Sequence, residues 1–258
     1  MIPNFTFLDK QISPYLICVV TGILVVLIAL YIMARRARLD DIDMMFIMLY
    51  AFVGVALGGC LLYGLTNWKY ILLLFRNYDK IPSFGEFLRL LFPAFQGSVF
   101  YGGLIGAVLA LCLYRKRKNL SRRYSDLATI GIPLFHVFGR LGCFLSGCCY
   151  GIECSFGVVY RYSALAEVNG VRRLPVQLFE AIFNLILVIV LYHFFRKKKY
   201  ETWLMNIYLY AYPIFRFVIE FFRDDAHRGF LWIFSTSQWI SILLIIANTL
   251  VILHRRKN

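Results

Sequence analysis

Residues 127–148 read LATIGIPLFHVFGRLGCFLSGC, an apolar run that carries one full charge, Arg140, in its second half. A helix that crosses a bilayer needs about 20 mostly apolar residues, with a range of about 17–25, and this stretch is long enough. Outward from it the same pattern recurs at 15–33, 44–66, 97–114, 175–195, 203–222 and 235–254. Composition agrees, since the 258 residues are 60% hydrophobic and only 16% charged. Soluble domains carry about 45–50% apolar and about 25% charged residues. A water-soluble fold, a disordered chain and a disulfide-stapled miniprotein are therefore excluded. The expectation is an all-α polytopic membrane protein, one seven-span domain over 1–258. A shorter amphipathic stretch near 84–95, stopped by Pro93, reads as an interfacial or re-entrant segment. The first span lacks a basic flank and a small-residue cleavage site, so no cleavable signal peptide is expected.

Charge sets the expected orientation. Basic residues outnumber acidic ones 28 to 14, giving a net charge of +14. Sixteen of the cations fall in the 35–38, 115–123, 196–199 and 255–257 segments, close to span ends, whereas ten are spread over the opposite loops. The positive-inside rule places the first set in the cytoplasm. The N-terminus is then extracytoplasmic, the C-terminus cytoplasmic, and the loop near 149–174 extracytoplasmic. Cations placed this way meet anionic headgroups. No basic-aromatic module is visible, so a nucleic-acid partner is not expected.

The two remaining cations, Arg140 and Arg216, lie within spans. An arginine at a span centre costs about 2.5–3.5 kcal/mol on insertion scales, so it rarely occurs without a partner or a task. Glu220 follows Arg216 by four residues and precedes Arg223 by three, which puts all three on one helical face. His136, Arg140 and Cys143 share a face by the same spacing. Gln177, Glu180 and Asn184 form a polar stripe just after Pro175. One reading is structural: ion pairs for assembly and interhelical glue. The other is a site, because Tyr15, Tyr63, Tyr101, Arg140, Gln177, Glu180, Arg216, Glu220 and Arg223 all fall toward the outer leaflet in this topology. Two or three arginines facing outward suit an anion, and lipid phosphate is the anion available at that depth. Gly139, Gly142, Gly147 and Gly151 flank Arg140 and let backbone approach a headgroup. Gly54 with Gly58, and Gly102 with Gly106, read first as small-xxx-small helix contacts.

Cys143, Cys148, Cys149 and Cys154 give C-x4-C-C-x4-C, which is not a standard zinc spacing of paired knuckles. Small buried cysteines, a structural disulfide or a reactive thiol beside Arg140 are the readings that remain. No metal and no cofactor are expected.

The stretch His136-Val-Phe-Gly-Arg-Leu-Gly-Cys-Phe-Leu-Ser-Gly-Cys-Cys-Tyr-Gly151 resembles the signature of bacterial prolipoprotein diacylglyceryl transferases. Tyr101-Gly-Gly-Leu-Ile-Gly106 is similar to that family's His-Gly-Gly-Leu-Ile-Gly segment. Pro175-Val-Gln-Leu-Phe-Glu180 is similar to its Pro-Ser-Gln-Leu-Tyr-Glu segment. Phe215-Arg-Phe-Val-Ile-Glu-Phe-Phe-Arg223 looks like its late Arg/Glu/Arg helix, and Tyr15 falls at an early tyrosine. The matches come in the family's order and cover nearly the whole chain.

The resemblance implies a multi-pass enzyme of the bacterial cytoplasmic membrane with its active site toward the extracytoplasmic leaflet. It would move diacylglyceryl from phosphatidylglycerol to the lipobox cysteine of a prolipoprotein and release glycerol phosphate. By position, Arg140, Arg216, Glu220, Tyr101 and His136 are the candidate catalytic residues. Arg140, Arg223, Tyr15, Gln177, Glu180, Gly102, Gly103, Gly142 and Gly151 would bind substrate, with membrane lipids as neighbours. Tyr101 stands where the family has histidine, Cys143 and Ser146 where it has asparagines, Cys148 where it has glutamate, and Cys60 where it has an arginine. A tyrosine with an ordinary pKa of about 10 is a poor base at neutral pH. That leaves His136 as the candidate acceptor of the thiol proton. The alternatives are the same lipid donor with another acceptor, or a non-catalytic lipid-binding or lipid-moving membrane protein.

Overall fold

A computed structural model of the chain describes residues 3, 5–7, 10–97, 99–163, 165–224 and 230–257. Arg228, one of the ten cations assigned to the extracytoplasmic loops, lies outside the described residues. The protein is predominantly helical, with helices α1 Pro14–Arg36, α2 Asp41–Thr66, α3 Trp68–Arg76, α4 Phe84–Leu91 and α5 Phe100–Arg117 in its first half. There follow α6 Arg122–Ser146, α7 Val176–Arg196, α8 Leu204–Ile219 and α9 Thr236–Lys257. Among the described residues, five helices are long and apolar enough to cross a membrane: α1, α2, α6, α7 and α9. The other two expected spans also fold as helices, but shorter or more charged ones. α5 has 18 residues and ends on Arg115, Lys116 and Arg117, and α8 has 16 before a 3-10 turn over Glu220–Phe222.

The chain divides into two compact units. Ala34–Ser125 forms one of them, built on α2 and α5. Asp40 caps α2 by accepting a hydrogen bond from the Asp43 amide at 2.9 Å, and Asp41 and Asp43 complement the helix dipole. Gly54 and Gly58 face Gly102 and Gly106 so closely that a Cβ on any of the four would fall on the carbonyl oxygen of a partner glycine. This seam confirms the packing reading of those glycines. The 84–95 region is a capped helix, with the Ser83 hydroxyl accepting from the Glu86 amide at 3.2 Å, followed by a 3-10 turn over Phe92–Phe95. It buries Phe87 against Phe75 and Tyr78, at ring-centroid distances of 5.3 and 5.2 Å.

The other unit joins the residues up to Met33 to those from Asp126 onward. Its helices are held by polar contacts. Asp126 accepts from the Thr202 and Leu204 amides at 2.6 and 3.3 Å, which fixes the start of α8. Asn206 donates to Asn248 at 2.6 Å, and Asn248 donates back to the Asn206 carbonyl at 3.0 Å, joining α8 to α9. The loop expected near 149–174 folds into an antiparallel pair, β3 Glu153–Val159 and β4 Arg172–Arg173, over a small core of Tyr150, Tyr160 and Val168.

Candidate functional site

The unit from Asp126 onward carries a buried ionic seam. Arg140, on α6, sets its Nε 2.8 Å from Glu180 Oε2 on α7. The second oxygen of Glu180 accepts from Arg216 Nη1 on α8 at 3.1 Å. Arg216 Nη2 lies 2.7 Å from Glu220 Oε2, one turn on, and also donates to the Ser237 hydroxyl on α9 at 3.2 Å. Arg223 Nη1 reaches the same Glu220 oxygen at 3.6 Å. The side chains of Glu180, Glu220 and Arg216 are 1%, 2% and 5% exposed, and that of Arg140, the most open, is 14% exposed. Charges so far from water interact strongly, and breaking one such pair costs about 3–5 kcal/mol.

Three guanidiniums converge on two carboxylates in this seam, and the adjoining Arg173 stands between two further carboxylates, Glu153 and Asp224. Several guanidiniums held this close together suit an anion that can accept from more than one of them. Arg140 is thus not the unpartnered cation its sequence position suggests, but it shares its carboxylate with Arg216.

Backbone pairing holds Arg223 in place. The Ile152 amide donates to the Phe222 carbonyl at 3.0 Å, the Asp224 amide to the Tyr150 carbonyl at 3.2 Å, and Gly151 bridges Arg223 in antiparallel fashion. A Cβ on Gly151 would stand 2.7 Å from both the Leu174 and the Phe222 carbonyl oxygens, so only glycine fits there. Arg173 closes this junction. It binds Asp224 at 2.7 Å and Glu153 at 3.0 Å while lying 4.7 Å over the Tyr150 ring.

Gln177, fully buried on α7, donates to the Cys148 carbonyl at 2.6 Å and accepts from the Tyr160 hydroxyl at 2.9 Å. Burial pushes the Tyr160 phenol up to about 12, so it stays a neutral donor. Asn184, the third member of the polar stripe, donates to the Glu180 carbonyl at 2.8 Å within its own helix. Tyr15 packs beside Gly142, where a Cβ would come 3.0 Å from Tyr15 Cδ2. A Cβ on Gly139, next to Arg140, would meet nothing within 4 Å. His136 is buried one turn before Arg140, its ring 4.9 Å from that of Tyr212.

Tyr101, Gly102 and Gly103 belong to the other unit. There Tyr101 is buried, Gly102 packs on Gly58, and a Cβ on Gly103 would meet Val55 at 3.2 Å. The sulfurs of Cys143, Cys148 and Cys149 converge within 4.8 Å of one another. Thiol hydrogen bonds from Cys143 and Cys148, and then Arg140 and Arg223, hold the Cys149 thiol below its ordinary range.

Sequence reasoning missed Arg173, Ser237 and Tyr160 as supports. Arg173 looks like any loop cation, and no local spacing ties Ser237 or Tyr160 to the seam. The pairing of Arg140 with Glu180 is equally hidden in the sequence, because the two lie on different helices.

Two comparisons bear on this arrangement. A family model described as prolipoprotein diacylglyceryl transferase matches residues 4–254. Phosphatidylglycerol--prolipoprotein diacylglyceryl transferase 2 of Clostridium perfringens is 36% identical over 203 residues, 76% of this chain and 72% of the relative. The phosphatidylglycerol--prolipoprotein diacylglyceryl transferase of Clostridium tetani is 30% identical over 250 residues, covering 96% and 94% of the two chains. That of Campylobacter jejuni (strain 81116) is 29% identical over 257 residues, covering 96% and 90%. The residues of the ionic seam all fall inside the matched range, and the chain belongs to the prolipoprotein diacylglyceryl transferase family.

Proposed function

We propose that this protein transfers the diacylglyceryl group of phosphatidylglycerol to the lipobox cysteine thiol of a prolipoprotein. The observation that carries the reading is the convergence of three guanidiniums, Arg140, Arg216 and Arg223, on the buried carboxylates Glu180 and Glu220. In the reaction the acceptor sulfur forms a bond to the glyceryl carbon and the carbon–oxygen bond to phosphate breaks. The bonding pair goes to the phosphate oxygen, glycerol phosphate departs, and the thiol proton is released. Negative charge therefore builds on the leaving phosphate, where fixed guanidiniums in a dry site act most strongly.

Arg140, the most open of the three arginines, binds the lipid phosphate in this reading. Arg216 adds to its field as charge grows, and Glu180, Glu220 and Arg223 hold both guanidiniums in place. His136 accepts the thiol proton. The space beside Gly139 leaves room for the glyceryl portion. The same reading takes α5 and α8 as the third and sixth of seven spans, with the N-terminus extracytoplasmic and the C-terminus cytoplasmic. The uneven distribution of loop cations supports that orientation. The protein then resides in the bacterial cytoplasmic membrane, the seam facing the outer leaflet and α4 lying at an interface.

The test is reconstitution of the purified chain into vesicles with a lipobox peptide as acceptor. Vesicles containing phosphatidylglycerol should yield peptide with the added diacylglyceryl mass, and vesicles of phosphatidylethanolamine alone should not. Modification of a non-lipobox thiol with the peptide untouched would move the acceptor to another class. Complementation of a strain depleted of its own transferase, read as a lipoprotein mobility shift, tests the same reading in cells.

A further inference from the structure

The three converging cysteines are not needed for the phosphate seam, and the sequence spacing argues against a zinc knuckle. Their placement points the other way. Cys143 sits in the last turn of α6, and Cys148 and Cys149 follow the helix end. Gly147 at φ 73° and Cys149 at φ 59° curl the chain back on the helix, the latter in a region side chains seldom occupy. The turn is pinned from several sides. The Cys148 amide donates to the Cys143 carbonyl at 3.1 Å, Ser163 Oγ donates to the Gly147 carbonyl at 2.9 Å, and Gln177 holds the Cys148 carbonyl.

As a result the three sulfurs lie within 4.8 Å of one another, and all three residues are only partly buried. Sulfurs bound to one zinc ion at about 2.3 Å in tetrahedral geometry are separated by about 3.8 Å. Moving them by about 1 Å at most would close the site.

We propose that Cys143, Cys148 and Cys149 form a three-thiolate site for a thiophilic d10 metal ion of the zinc class. Thiolate ligands select such soft ions over magnesium or calcium. The hydrogen bonds to the Gly147 and Cys148 carbonyls orient the ligand turn, as outer contacts do at metal sites. Cys154, on β3, lies outside the trio and serves as an internal control.

The test uses the untagged full-length chain, purified in detergent under reducing, metal-free conditions and then offered zinc or cobalt(II). Elemental analysis should find one zinc per chain. Cobalt should give thiolate-to-metal charge-transfer absorption, and bound zinc should slow alkylation of the three thiols. Cys148→Ser and Cys149→Ser should each weaken zinc binding by more than about tenfold, while Cys154→Ser should leave it unchanged. No zinc above background in the reduced wild-type chain would overturn the proposal whether or not the variants fold. So would equal binding by the Cys148→Ser/Cys149→Ser double variant, or a disulfide joining two of the three cysteines in protein isolated from cells. None of these measurements depends on lipid transfer, so the outcome is separate from that of the proposed reaction.

Discussion

Two seams hold helices together in this protein, and they do so by opposite means. Between α2 and α5, glycines bring the backbones into contact, and the Tyr114 hydroxyl donates to Asp43 at 3.2 Å near the far end of the pair. Among α6, α7 and α8, arginines and glutamates are buried at a cost that packing alone does not require. Replacing a buried ion pair with apolar residues of similar volume is often neutral, or stabilising by about 1–4 kcal/mol. The glycine seam is thus explained by its contacts, while the ionic seam is costlier than packing needs and fits the anion-binding role proposed for it.

Breaking the ionic seam should have the largest effect. Glu180→Gln removes the carboxylate shared by Arg140 and Arg216 and takes from the mostly buried Arg140 its ion pair, while Arg216 keeps Glu220. Transfer should fall below detection, with stability reduced by about 3–5 kcal/mol, read by thermal melting of the solubilised protein against the activity per folded molecule. Next comes His136→Gln, which keeps hydrogen bonding but removes titration in the neutral range. Turnover should drop by about 10²–10⁴-fold with lipid binding retained. Normal turnover by this variant would send the thiol proton elsewhere.

The glycine seam gives the contrasting result. Gly58→Leu forces α2 from α5 and should cost stability, about 1–3 kcal/mol as overpacking usually does. The transfer rate of the folded fraction should change far less than in the seam variants. A Gly58→Leu protein that melts normally but no longer transfers would erase the distinction between the two regions. The smallest effect is expected of Tyr160→Phe, which removes the hydrogen bond to Gln177. A loss of about 1 kcal/mol is expected, seen as a modest fall in melting temperature.

The contrast also explains which features can be read from sequence. The apolar runs at 15–33, 44–66 and 175–195 became α1, α2 and α7 with ends displaced by a few residues, because bilayer thickness fixes their length. The shared face of Arg216, Glu220 and Arg223 followed from helical spacing alone and persists through the 3-10 turn. Nothing local could reveal α3, an amphipathic helix of nine residues that is too short for any span criterion. The Arg140–Glu180 pair joins residues on different helices, and periodicity assigns faces without naming partners. The β3–β4 pair was hidden for a related reason. Its register, with Glu153 and Val158 both opposite Arg173, contains an irregularity that breaks simple alternation. The convergence of Cys143, Cys148 and Cys149 depends on two left-handed residues, one of them not glycine.

Arg140, the most open guanidinium of the ionic seam, is the residue proposed to bind the lipid phosphate. The measurement is transfer from phosphatidylglycerol to a lipobox peptide by Arg140→Ala and Arg140→Lys, compared with wild type at equal amounts of membrane-inserted protein. Arg140→Ala should lose at least about 100-fold in turnover, with Arg140→Lys recovering part of the loss because it restores charge without the two-pronged geometry. Wild-type turnover by a well-folded Arg140→Ala protein would contradict that role.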